Sequence, residues 1–304
     1  MTALTPAVGT VPSYTSPYHS HHVTFTHMVR SEWIKRWSLR STWWVVGISV
    51  AFMALLALLF AVIMSDPNTI SAMEQAGGGQ GGGMMGGGNM ADMLNGAFLV
   101  TVGYQFAQLT VAVLGVLSIS SEYTTGMIRA TLSAAPRRLR LLWAKVIVLV
   151  TTTVIISLVG LALSWVITYP ILRNVTLSSG RSLLVDFTNG TQLRQLGGSI
   201  LYLVIIALIA FALGSLIRAT AGGIFANVAI IWVIPMILGI IVTFANVDWL
   251  NYIYRVLPTE AGQQIVMPTQ MPDMLSPWSG IAVMATYAVV LNCLAGIAIR
   301  KKDA

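Results

Sequence analysis

The sequence predicts an all-α integral membrane protein: six transmembrane helices, both termini cytoplasmic, and an amphipathic helix lying in the interface ahead of the first span. Three observations predict it. Of 304 residues, 56% are hydrophobic and 9% charged, where a soluble domain carries about 25% charge; mean hydropathy is +0.78. The apolar residues gather into runs long enough, or nearly so, to cross roughly 30 Å of hydrocarbon. The charges then sort to opposite sides of those runs. A soluble enzyme, a fibre and a disordered chain are excluded together. The single cysteine, Cys293, excludes a disulfide framework, and no CxxC or CxxH spacing suggests structural zinc.

The spans fall near 43–64, 98–117, 146–169, 200–217, 224–244 and 281–299, and none contains Asp, Glu, Lys, Arg or His. Backbone groups in lipid must be satisfied within their own segment, so these are helices. The first is too long for a signal-peptide core and lacks a convincing cleavage site, so it reads as an uncleaved anchor. Thirteen of the seventeen basic residues lie on the side that holds both termini, and seven of the ten acids lie opposite. That bias makes the termini cytoplasmic. The loop 171–199, with Arg173, Arg181 and Arg194 against Asp186, runs counter to it, and the even span count still holds it outside. The net charge of +7 is therefore a membrane-surface charge facing anionic lipid, and nucleic acid is not the partner.

Residues 1–23 are rich in Pro, Ser, Thr and Tyr without charge and read as a disordered cytoplasmic tail. The loose cluster His19, His21, His22 and His27 reads as incidental rather than metal-binding. Over 24–42, Phe25, Met28, Val29, Trp33 and Trp37 fall on one helical arc and His27, Ser31, Lys35 and Ser38 on the other; Arg36 and Arg40 interrupt the apolar arc and would have to snorkel. This is the interfacial helix, either a plain anchor or a lever between a cytoplasmic partner and the first span. The external loop 66–95 contains GGGQGGGMMGGGNM and reads as flexible coil. Its methionines, among them Met84, Met85 and Met90, are soft Cu(I) ligands in principle, but no His or Cys accompanies them.

In the second span Gln105 and Gln108 lie on one face, either hydrogen-bonding between helices or lining a translocation path together with Asn227 of the fifth. The fifth span also holds Pro235, and the sixth holds Asn292. The cytoplasmic loop 118–145 spaces Ile119, Tyr123, Met127 and Leu132 as a short helix, which Pro136 breaks before Arg137, Arg138 and Arg140. That shape suits docking into a partner's groove as well as lying on the membrane. The external loop 245–280 is too hydrophobic for a connector and predicts short helices against the outer ends of the spans, capping the bundle or gating an exit. Residues 300–304 form a cytoplasmic tail.

The chemistry an enzyme would need is missing. All four histidines precede Met28, no carboxylate lies within a span, and there is no GxxxxGK[ST] phosphate loop. Active transport by this chain would draw its energy from elsewhere.

Three stretches, in order and with the six-span layout, resemble the permease subunit of type-2 ABC (ATP-binding-cassette) exporters from about Arg30 onward. They are Ser31-Glu32-Trp33-Ile34-Lys35 with Leu39-Arg40-Ser41-Thr42; Ser121-Glu122-Tyr123, Gly126 and Arg129 with Pro136-Arg137-Arg138; and Leu257-Pro258 with Ala261-Gly262. The resemblance implies a half-transporter: a second permease copy or paralogue, and a cytoplasmic ABC ATPase subunit that binds ATP and Mg, this chain holding no cofactor of its own. It implies that Trp33 and Lys35, and Glu122, Tyr123, Gly126 and Arg129, couple to that ATPase, in a bacterial cell membrane. The cargo class it suggests for export is amphipathic or lipid-like: a drug, an antimicrobial peptide or a lipid. The Gly/Met-rich loop departs from the family. A different class of function is a non-transporting membrane sensor or immunity protein, in which the cytoplasmic loops would be dispensable.

Overall fold

A computed structural model describes residues 24–77, 94–124, 126, 138–176, 182–245, 247–271 and 273–302. The helices are α1 Phe25–Ser38, α2 Arg40–Ile63, α3 Pro67–Gly77, α4 Gly96–Thr101, α5 Tyr104–Thr124, α6 Arg138–Leu172, α7 Gly190–Ile217, α8 Thr220–Val228, α9 Ile234–Ala245, α10 Asp248–Val256, α11 Pro258–Gln263 and α12 Pro277–Lys302. Six helical stretches are long and apolar enough to cross a membrane: α2, α4 with α5, α6, α7, α8 with α9, and α12. The molecule is an all-α, multi-pass membrane protein.

The chain leaves α1 at Leu39, whose extended backbone interrupts the helix for one residue before α2 begins. The fourth span, α7, is the central post, buried round most of its surface; α2, α12 and above all α8–α9 turn most of theirs outward. Water expulsion does not drive helices together inside lipid, so close packing has to. Gly115 of α5 meets α7 so tightly that a Cβ there would lie 2.6 Å from the Ala207 carbonyl oxygen. Around that contact Val111 and Leu114 of α5, Leu149 and Ile156 of α6, and Ile206 and Phe211 of α7 form the main core.

Charge-free runs understate the helices. The second span continues without a break to Thr124, so Ile119 and Tyr123 belong to it rather than to a separate cytoplasmic helix. Hydropathy ends at the first charge, whereas a helix ends where its backbone must turn: Gly126 has φ +68°, in the left-handed region that favours glycine. Likewise α6 is already helical at Arg138, seven residues before Lys145. The external loop is also partly helical, because Pro67 opens α3 and Asp66 accepts a hydrogen bond from the Asn68 N–H (3.0 Å). The sequence's expectations for 1–23, most of the Gly/Met segment, Arg129 and Pro136 lie outside the described residues.

The fifth span is irregular where Pro235 requires it. Residues Ala229–Val233 form one π turn between α8 and α9. Proline offers no N–H and its ring crowds the carbonyl four residues back, and the wider turn accommodates both. The segment after this span folds back as α10 and α11 against α9, α7 and α12.

Candidate functional site

Two polar sites stand at opposite ends of the second span. At the end carrying the basic loops, four ionised side chains from three helices meet. Lys145 of α6 donates to Glu122 of α5 (2.7 Å) and to Glu32 of α1 (2.8 Å), and Lys35 of α1 pairs with Glu122 from the other side. Glu122 and Lys145 are each 3% exposed, while Lys35 sits at the rim at 37%. Charges removed from water to this degree persist only when paired and hydrogen-bonded, and each of these is.

The face that α1 turns inward is therefore Met28, Glu32 and Arg36, spaced one turn apart, two of them charged. Burial pulls the Arg36 guanidinium down to about 10, against the opposing pull of Glu32. Trp33 packs on Trp37 at 5.7 Å and Trp37 on Trp43 at 5.0 Å, with the Trp43 indole donating to the Trp37 carbonyl (3.0 Å). This aromatic step ties α1 to the start of α2 at their corner. Tyr123 lies under the Arg218 guanidinium, 5.3 Å from its ring centre, and Arg218 itself closes α7 in a left-handed conformation. Of the residues expected to contact an ATPase, Lys35 and Glu122 meet each other, Tyr123 meets the turn between the fourth and fifth spans, Trp33 packs on Trp37, Gly126 follows the end of the helix, and Arg129 is outside the described residues.

At the other end, a chain of hydrogen bonds leads from the core outward. The Tyr202 hydroxyl donates to Gln108 (2.6 Å), whose amide donates to Gln105 (3.1 Å); the Gln105 amide donates to Gln263 (2.9 Å), and the Gln263 amide to Glu260 (2.8 Å). The Tyr254 phenol of α10 lies beside Glu260. Burial pushes the Glu260 carboxyl above the usual carboxylate range, against the Tyr254 phenol and the Gln263 amide beside it, which favour the anion. The same burial, with the Glu260 charge beside it, pushes the Tyr254 phenol up.

These groups line one wall of a cavity of about 540 Å3, whose other wall is apolar and comes from the fifth span: Trp232 on the π turn, then Met236 and Ile240. The structure thus brings Gln105 and Gln108 together at a cavity. Asn227 is not among its lining residues; its amide donates to the Gly223 carbonyl of its own helix (2.9 Å).

Lys145 and Glu260 were missed as site residues. The signal for the first was that only Glu32, Glu122 and Asp303 are acidic on the basic side, so each acid within a helix there called for a cation. For the second it was the one charged residue of the apolar stretch 257–267.

Six apolar spans, a charge-latched helix at one end and a polar cavity at the other define a multi-pass membrane protein with no catalytic constellation among the described residues. The chain belongs to the family described as protein of unknown function (DUF2705), whose model matches residues 80–304. No curated protein matches it.

Proposed function

We propose that this chain is the permease subunit of an ABC exporter, moving an amphipathic or lipid-like substrate with ATP hydrolysed by a separate cytoplasmic subunit. The observation that carries the reading is the charge cluster. Lys145 and Glu122 join α1 to the ends of the second and third spans, so a push on α1, or on the segment after Thr124, reaches two spans at once. A static anchor has no need of such a latch, since the Trp33–Trp37–Trp43 step already fixes the corner. A separate ATPase also accounts for a transport-like bundle without a phosphate loop. A second copy or paralogue completes the membrane unit, and the largely uncovered fifth span supplies surface for it.

The test is gentle purification from the host's own membranes. The expected result is a co-purifying cytoplasmic protein with a GxxxxGK[ST] loop, whose substrate-stimulated ATP hydrolysis is lost in Lys35→Met. That variant leaves Glu122 paired with Lys145 and removes only the charge at the solvent-screened rim, so the bundle stays folded. A preparation without an ATPase, under conditions where a control transporter complex survives, would return the chain to the sensor or immunity class.

A further inference from the structure

The cavity beside the fifth span has the chemistry of a selective site. One wall is hydrocarbon, from Trp232, Met236 and Ile240; the facing wall offers the Glu260 carboxylate at its outer end. Among the described residues no lysine or arginine lines it. The arginines at this end of the neighbouring helices are engaged elsewhere: Arg194 of α7 donates to the carbonyls of Gln264 (3.4 Å) and Met267 (2.8 Å), and Arg255 of α10 pairs with Asp273 (3.5 Å). Among the described residues Glu260 thus has neutral neighbours, Gln263 donating to it and the Tyr254 phenol beside it, and no cation. Beside it the Thr259 hydroxyl, on a residue 4% exposed that also lines the cavity, has no hydrogen-bond partner among the described residues. A buried hydroxyl left unpaired costs free energy unless something arrives to satisfy it.

We propose that this cavity binds a cationic amphiphile, its ammonium group donating to Glu260 and Thr259 and its hydrocarbon body lying against Trp232, Met236 and Ile240. An anion would meet the Glu260 charge, and a neutral hydrocarbon would leave the carboxylate and the hydroxyl unanswered. A protonated amine supplies the positive charge and, with three N–H donors, can serve both oxygens at once. As a statement about cargo, the proposal rests on the transport reading; as a statement about binding, it stands on the cavity alone.

The experiment uses the full chain in lipid nanodiscs, without any ATPase, so that its failure is separate from a failure of the transport reading. Binding of 1-adamantylammonium is compared by calorimetry with that of 1-adamantanol, a neutral probe of nearly the same shape. The expected result is about tenfold or greater preference for the ammonium, as befits a hydrogen bond to a charged group. Glu260→Gln removes that preference, Glu260→Asp keeps part of it, and Thr259→Val weakens the ammonium while leaving the alcohol unchanged. Equal binding of the two probes by the native chain overturns the proposal, as does an undiminished preference in Glu260→Gln. Because the native chain alone decides the first comparison, a variant that fails to fold does not remove the test.

Discussion

Glu122 carries two lysines, and Lys145 carries two glutamates. Removing one member leaves its partners charged, buried and incompletely compensated, which costs about 3–5 kcal/mol. Glu122→Gln and Lys145→Met are each expected to destabilise the protein by about that much, and the double variant by clearly less than their sum. Unfolding by detergent titration in mixed micelles checks it; additive losses would mean that the two groups act independently. Lys35 at the rim is a different case, since water screens it and its loss leaves one full ion pair on Glu122. These pairings were only half legible in the sequence. Lys35 and Glu122 stand out through a resemblance that assigns them to contact with another protein, yet in the folded chain they contact each other. What a linear pattern lacks is the approach of residues 35, 122 and 145, which depends on how three helices cross.

At the scale of the element, periodicity and hydropathy were good guides to where spans exist and poor guides to where they end. All six spans were visible as apolar runs, because lipid imposes one requirement along the whole of each run. Helix ends obey local rules instead: a left-handed Gly126, Asn95 accepting from the Phe98 N–H (2.8 Å), Asp66 and Pro67 opening α3. The π turn was hidden too, although Pro235 was its plain cause. Packing between spans is set by small residues, and Gly115, at the contact of α5 with α7, is one example. Gly115→Ala puts a Cβ 2.6 Å from a backbone oxygen and 2.8 Å from the Ala210 Cβ, so α5 and α7 must move apart. The expected loss is about 1–3 kcal/mol. Gly47→Ala, where nothing lies within 4 Å, is expected to leave stability unchanged or slightly raised. The same detergent titration separates them; equal effects would mean that the α5–α7 contact is not close-packed.

For the whole molecule, the informative fact is that one unbroken helix carries both sites. Gln105 and Gln108 border the cavity near the start of α5, and Glu122 joins the charge cluster near its end. Fourteen residues at 1.5 Å each separate Gln108 from Glu122, so the two sites lie about 20 Å apart on a single rod. A rod transmits displacement without needing a chain of intermediate contacts, provided both ends are held, and here they are: by Lys35 and Lys145 at one, by Tyr202 and Gln263 at the other. On the transport reading, nucleotide binding below should therefore change access to the cavity above. Thr243 of α9 lines the cavity without belonging to its polar chain, its hydroxyl donating to the Gly239 carbonyl of its own helix (2.8 Å). With Cys293 replaced by serine, Thr243→Cys becomes the one thiol of the chain. In the complex with its ATPase, its rate of modification by a membrane-impermeant maleimide is expected to change several-fold when a non-hydrolysable ATP analogue binds. Adding Lys35→Met is expected to abolish that change while leaving the nucleotide-free rate alone, because the cavity itself is untouched and only the latch on α1 is lost. A labelling rate indifferent to nucleotide would uncouple the two ends and reduce the cluster to an anchor; a response that survives Lys35→Met would route the coupling through the segment after Thr124 instead of through α1.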